Sequence, residues 1–538
     1  MYLRALAVAL AVVSVAVRAD APIPRDDRAI LHTLNRLGYG ARPSDLDRVR
    51  AMGLPAWIDQ QLHPEHLDDS ALTRRLSGLT TLTLDSKTIV RDYDAPAIEE
   101  RRRRQRQAAT QADAGGTAPE DFGAPASPPT QAQRKNRQVL LELADAKVLR
   151  AVYSERQLEE VLVDFWLNHF NVFAGKGPTR NYVTEYERDA IRPHVFGRFR
   201  DLLEATAKSP AMLFYLDNWE NTSPTAPELD APRARRGRAA RLERPGAPAA
   251  ANTPAVRPRR GLNENYAREV MELHTLGVDG GYRQQDVVDV ARAFTGWTMR
   301  PRQGTGFQFA PALHDQGEKH VLGHTLRPNG GIRDGEQVLD ILATHPSTAR
   351  FIATKLAQRF ISDTPPQSVI DRAAATFLDT TGDLRAVVRA IVTSPEFFAP
   401  DAYRAKVKTP LEFIASALRV TGAEVRNAQP AVQAVRELGM PLYFCQPPTG
   451  YDDSADTWVS SGTLVGRMNV ALELGANRLR GVALPVAAST TVDDARVRLI
   501  ADALGGDVSA STRATLAKAT TIDQVVALAI GSPEFQKQ

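Results

Sequence analysis

Apolar residues recur at spacings of three and four along most of the chain, a pattern that predicts helices. Val139–Tyr153 carries one such pattern, and Leu158, Val161, Leu162 and Phe165 form a stripe within Glu155–Phe165. Pro43–Leu62 reads as a helix ending near Gly53 and a second beginning after Pro55. Ser347–Phe360 places Phe351, Ile352, Leu356 and Phe360 on one face, and Ser460 or Ser461 is positioned to cap a helix through Arg467 to Leu479. Period-two alternation is scarce. The pattern predicts a mainly α, multi-helical protein built as a single large domain over residues 22–538.

One phrase recurs three times: DLLEATAKSPAML from Asp201, DLRAVVRAIVTSPEFF from Asp383 and IDQVVALAIGSPEFQ from Ile522. In each, an amphipathic helix ends and Ser-Pro is expected to open the next one, serine as cap and proline in the first turn. Their spacing is too irregular for a solenoid.

Two stretches lack apolar periodicity: about 97–133, which includes IEERRRRQRQ, and about 221–260, rich in Pro, Ala and Arg. Both are expected to be long disordered insertions.

NENYAREVMELHTLG, Asn263 to Gly277, packs three glutamates, an arginine and a histidine into one helical stretch. Asn263 suits an N-cap and Gly277 the residue just past the end. Tyr266, Val270 and Leu273 share a core-facing stripe, while Glu264–Arg268 and Arg268–Glu272 are candidate i, i+4 pairs. Glu272 and His274 lie two positions apart, about 200° around an α-helix, so Glu269, Glu272 and His274 cannot hold one ion unaided. Asp279-Gly280-Gly281 then turns the chain into a second helix near Gln284, an αα-hairpin able to return other polar groups to the first helix.

The first residues add a destination. Arg4 precedes the 13-residue apolar run Ala5–Val17, and Ala19 and Ala21 follow as small-residue cleavage options. This is the pattern of a signal peptide over residues 1–21, since spanning a bilayer needs about 20 apolar residues. An exported protein is expected, periplasmic or extracellular, with no membrane span after cleavage. The single cysteine, Cys445, excludes an internal disulfide and a Cys-based zinc site.

A pI near 9.1 suggests nucleic acid until the charge is located. Nine arginines against Glu243 give residues 233–260 a net +8, in a chain of net +4, so the remainder is −4. Nucleic acid is therefore not an expected partner.

The chain has no G-x-S-x-G elbow, phosphate-binding P-loop or dinucleotide glycine pattern. Its polar candidates are FWLNHFNVF (Asn168, His169), IRPHVFGRF (His194), YLDN (Asp217, Asn218) and HDQGEKHVLGH (His314, Asp315, Lys319). Asn168 and His169 sit between aromatics, which predicts burial with hydrogen bonds and suits either a site or a polar core network.

The blocks FWLNHFNVF, RDAIRPHVFGRFRDLLEATAKSPAMLFYLDN, NENYAREVMELHTLGVDGGYRQQDVVDVARAFTGW, HDQGEKHVLG and PPTGYDDSADTWVSSGTLVGRMN occur in that order. Together they resemble the bacterial family termed domain of unknown function 1800, from about Ala29 to the C-terminus. Val270 and Arg283 stand where leucine and threonine are expected. The resemblance implies an exported protein, often encoded beside a second exported protein, and carries no settled activity.

Two functional expectations follow. As a metal-dependent hydrolase, the protein would use His169, His274, His314, Asp315 and Glu269 in catalysis. Asn168, His194, Asp217, Asn218, Arg268 and Lys319 would bind substrate, and a divalent ion would sit among Glu269, Glu272, His274 and His314. As a non-enzymatic envelope assembly or binding protein, it would act with the co-encoded exported partner.

Overall fold

The computed structural model describes residues 23–113, 128–226, 261–485 and 489–538. The described chain is mainly α and multi-helical. Its sheets are three two-stranded antiparallel pairs: Trp297–Thr298 with Gln308–Phe309, Lys319–Val321 with His324–Leu326, and Glu424–Val425 with Val482–Ala483. Burial falls into one contiguous apolar cluster running from Ala29 to Phe535. Apolar burial of this kind, roughly 25 cal/mol per Å², is the main term holding the helices together.

Most expected helices form. Gln131–Tyr153 and Gln157–His169 follow one another, the first opened by a capping box between Thr130 and Gln133. Asp45–Met52 stops at Gly53, whose φ of 89° few side chains adopt, and Leu54–Leu62 continues beyond it. Pro346–Phe360 packs against Gln367–Asp379, which packs against Leu384–Val392. Ser460 caps Ser461–Gly475, which lies along Ile522–Ile530.

Two expectations change here. The stretch expected as loop from 97 to 133 contains the helix Ala95–Asp113, and the next helix begins at Gln131. Glu, Arg, Gln and Ala all favour helix, so propensity forms it without an apolar stripe to betray it. The rest of that expected insertion, 114–127, and most of the second, 227–260, lie outside the described residues. Of the three Ser-Pro phrases, only Ser209-Pro210 opens a helix, Pro210–Tyr215. Ser394 and Ser532 instead close turns, each hydroxyl accepting from the backbone N–H three residues on, at Phe397 and Phe535.

The NENYARE segment also departs from a plain α-helix. Asn263 caps it through Tyr266 N–H and α geometry runs over Glu264–Met271. Glu272–Leu276 then widens into a π-turn that ends at Gly277, φ 80°. The expected Glu264–Arg268 and Arg268–Glu272 pairs do not form. Gln284 of the next helix takes their place, accepting from Arg268 at 2.9 Å and donating to Glu264 at 2.7 Å. That contact closes the αα-hairpin.

Candidate functional site

Two sequence blocks far apart in the chain meet at one clasp. The Asn168 side chain donates to the Tyr451 carbonyl at 2.8 Å, and the Tyr451 N–H donates back to Asn168 Oδ1 at 2.7 Å. Gly450 makes the approach possible, because a Cβ there would stand 2.3 Å from the Asn168 carbonyl oxygen. The loop of PPTGYDDSADTW is thereby fixed against the end of the Gln157–His169 helix.

The two segments frame a cleft of about 450 Å³. One wall is the last turns of Gln157–His169, with Asp164, Phe165, Asn168 and His169. A second is one face of Pro346–Phe360, where Phe351, Lys355, Gln358 and Arg359 follow helical spacing. The third is the loop Thr449 to Ser454 with Trp458 behind it.

Ion pairs make up the floor. Lys406, 1% exposed, touches Asp363 at 2.7 Å and Asp453 at 3.1 Å. Arg359 holds Glu412 at 2.6 Å, and Lys147 holds Asp164 at 2.8 Å. The two carboxylates on Lys406 are driven in opposite directions. Burial raises the Asp453 pKa, against the pull of Lys406 and Arg359, although 35% of its side chain still opens to the cleft. Burial also works to raise Asp363, but hydrogen bonds from Lys406 and the Ala455 N–H outweigh it and hold that carboxyl below its usual range. Among the described residues nothing donates to Asp453 Oδ1, whereas both oxygens of Asp363 are engaged. Carboxyl groups pushed apart in this way are suited to acid and base roles.

The predicted residues divide into separate places. Asn168 and His169 line the cleft. His274 lies beside His169, with ring centres 6.4 Å apart and the His169 Nε2 meeting the His274 carbonyl at 3.1 Å. Burial lowers both imidazoles to about 3, helped at His169 by His274 and Lys355, so both are neutral. Nε2 of His274 is buried with no hydrogen-bond partner.

His314, Asp315 and Lys319 belong to a different cluster. His314 meets Asp334 at 3.1 Å and the Thr295 carbonyl at 2.8 Å, while Lys319, 0% exposed, donates to Asp334, the Asp315 carbonyl and the Gly317 carbonyl. Arg292 holds Asp315 at 2.9 Å. These groups lock the Lys319–Leu326 hairpin to its surroundings and do not line the cleft.

The ion expected among Glu269, Glu272, His274 and His314 is not supported, since those side chains are not gathered. Glu272 accepts from the Tyr282 hydroxyl, and Glu269 is half-buried and raised by burial and by Glu272. Among the described residues no three His, Cys, Asp or Glu side chains are grouped to hold a metal.

The other expected binding residues also stand elsewhere. His194 bonds the Ala190 carbonyl, exposed Asp217 pairs with Lys176, and buried Asn218 donates to the Phe294 and Trp297 carbonyls. Arg268 holds the αα-hairpin. Cys445 is buried and its thiol is pushed up to about 11 by burial, which disfavours the thiolate at neutral pH.

Asp363, Arg359, Lys406, Glu412 and Asp453 are not among the residues the sequence patterns single out. The one signal available was the Asp452-Asp453 doublet in an extended, Pro- and Gly-containing block.

Those ordered blocks carry a family signature. A family model described as protein of unknown function DUF1800 matches residues 32–537. The chain belongs to this family. No curated protein and no solved structure matches it. The DUF1800 assignment fixes kinship across nearly the whole chain.

Proposed function

We propose that this DUF1800 protein is an exported hydrolase whose chemistry takes place in the cleft beside the Asn168–Tyr451 clasp. Asp453 gives a proton to the leaving group and Asp363 serves as the ionised partner. One observation carries this reading: a single buried ammonium, Lys406, holds two cleft carboxyls whose surroundings push their proton affinities apart. Lys406, Arg359 and the clasp act as positioning groups. Support for export comes from the N-terminal sequence pattern.

Purified full-length protein, assayed against ester, peptide, phosphoester and glycoside panels, tests the reading. Turnover is expected to fall by about 10²- to 10⁴-fold in D453N and in D363N, with the fold kept by circular dichroism. Full activity in both variants would overturn the assignment.

A second reading, an envelope assembly role with the co-encoded partner, has one observation in its favour. Leu464, Val465, Met468 and Leu472 are exposed on a single helix, 38% to 60% each. Exposed apolar groups this close together mark protein contacts. Co-purification that survives D453N but is lost in V465E/L472E would support it.

A further inference from the structure

We infer that the cleft takes a neutral glycan and that the protein hydrolyses a glycosidic bond with retention of anomeric configuration. The inference rests on the hydrolytic reading of the same cleft and adds substrate class and stereochemistry to it.

Charge is the first observation. Asp164, Asp363, Asp453 and Glu412 each already face a protein cation, in Lys147, Lys406 or Arg359. What remains near the opening is one exposed cation, Lys355, and one exposed acid, Asp452, of opposite sign. Asp363 and Asp453 share Lys406, so with Asp453 carrying the proton its acid role requires, the remaining four carboxylates match four cations and a strongly charged ligand of either sign finds no surplus. A ligand rich in hydroxyls does well, because ion-paired carboxylates and ammoniums accept and donate strong hydrogen bonds without being neutralised.

The second observation is the aromatic lining. Phe165 and Phe351 flank His169, with ring centres 6.3 and 6.0 Å from the imidazole. Across the cleft, Tyr451 stands 6.0 Å from Trp458. The half-buried rings of Phe165, Phe351 and Tyr451, the last backed by buried Trp458, lie among paired polar groups and suit a pyranose, which offers C–H faces and a rim of hydroxyls.

Distance is the third. Lys406 Nζ touches Asp363 and Asp453 at 2.7 and 3.1 Å, so their nearest oxygens are at most about 6 Å apart. Retaining glycosidases hold their carboxyls about 5–5.5 Å apart, and inverting ones about 6.5–9.5 Å to admit a water between acid and sugar. Because that upper bound falls short of the inverting range, the role that fits Asp363 is direct attack on the anomeric carbon.

The step balances without another reactant. Asp453 transfers its proton to the glycosidic oxygen as that C–O bond breaks, and an Asp363 oxygen bonds the anomeric carbon to give a glycosyl ester. Water, deprotonated by the Asp453 carboxylate, then attacks the same carbon. The ester bond breaks, Asp363 leaves ionised and Asp453 regains its proton.

The test uses full-length protein with 4-nitrophenyl glycosides of glucose, galactose and N-acetylglucosamine, and with soluble polysaccharides. Hydrolysis is expected, with the first-formed anomer matching the substrate by NMR. D453N is expected to lose about 10²- to 10⁴-fold in kcat/KM on polysaccharides and far less in kcat/KM on nitrophenyl glycosides, because nitrophenolate departs without a proton, while kcat falls on both because Asp453 also activates the water. The wild-type protein, exposed to a 2-deoxy-2-fluoro aryl glycoside, is expected to gain one fluoroglycosyl unit on Asp363 by peptide mass mapping; this readout needs no variant to fold. An inverted product, or label on another residue, overturns the inference. Cleavage of esters or peptides but of no glycoside overturns it and leaves the acid–base reading standing. Turnover of nothing overturns both.

Discussion

Asn168 grips Tyr451 by both ends of its peptide group, donating to the carbonyl at 2.8 Å and accepting from the N–H at 2.7 Å. These residues are 283 positions apart, and the clasp is what gives the cleft its third wall. Asn168→Ala leaves both backbone groups of Tyr451 without their partner, at a cost of about 1–3 kcal/mol. A urea titration should show a lower midpoint with an unchanged slope. Wild-type stability would mean the loop is held by other contacts.

Gly450 and Gly53 separate two reasons for glycine. Both have positive φ, 75° and 89°, but a Cβ at Gly450 meets the Asn168 carbonyl oxygen at 2.3 Å whereas one at Gly53 meets nothing within 4 Å. Gly53→Ala should cost about 1 kcal/mol from backbone strain alone. Gly450→Ala should cost about 3 kcal/mol or more, since backbone must move. Equal losses would show that strain, not crowding, sets both positions.

Acid sensitivity follows from three buried histidines. His32, His169 and His274 have folded pKa values of about 3, against 6.5 for an ordinary imidazole, chiefly through burial. Above pH 6.5 they are neutral folded and unfolded, and contribute no pH dependence. As pH falls from 6.5 towards 3, the unfolded chain takes up protons that the folded chain refuses. Stability is then lost at about 1.4 kcal/mol per pH unit for each histidine. Urea midpoints between pH 7 and 4.5 should fall, and fall less steeply in H169Q/H274Q. An identical slope in that variant would exclude this source.

Lys319 distinguishes a structural cluster from a catalytic one. Its ammonium satisfies Asp334, 1% exposed, together with two carbonyls. Lys319→Met leaves a buried carboxylate without its cation and should cost about 3–5 kcal/mol. Below the unfolding temperature, any turnover by the cleft should persist. Loss of turnover with unchanged melting would return His314 and Lys319 to the site.

Export has its own check. The protein recovered from an expressing bacterial culture should begin at Asp20 or Pro22, after the two small-residue options. N-terminal sequencing of extracellular or periplasmic material reads this directly, and a retained Met1 on exported protein would overturn cleavage.

Local rules explain why so much of the fold was legible. Apolar stripes at helical spacing, the Asn263 and Ser460 caps, and Gly53 each act within a few residues, so the sequence displays them. The Ala95–Asp113 helix has propensity without a stripe, so no apolar period marks it in the sequence. Ser394-Pro395 and Ser532-Pro533 offer the same local chemistry as Ser209-Pro210 yet close turns. Whether the chain continues as helix there depends on what packs against it.

Sequence by itself determined a mainly α chain, its family kinship and the blocks that matter. The two-residue offset of Glu272 and His274 counts against a self-contained metal site in α geometry, a geometry that the π-turn over Glu272–Leu276 replaces. Tertiary structure decided which blocks meet. It joined Asn168 to Tyr451, put His274 in a neutral core beside His169, and sent His314 to a separate salt-bridged hairpin. It also placed Asp363 and Asp453 on one ammonium. The physical reason is range. Helix formation is settled over a few residues, whereas a carboxyl's proton affinity depends on burial and on charges that arrive from distant parts of the chain.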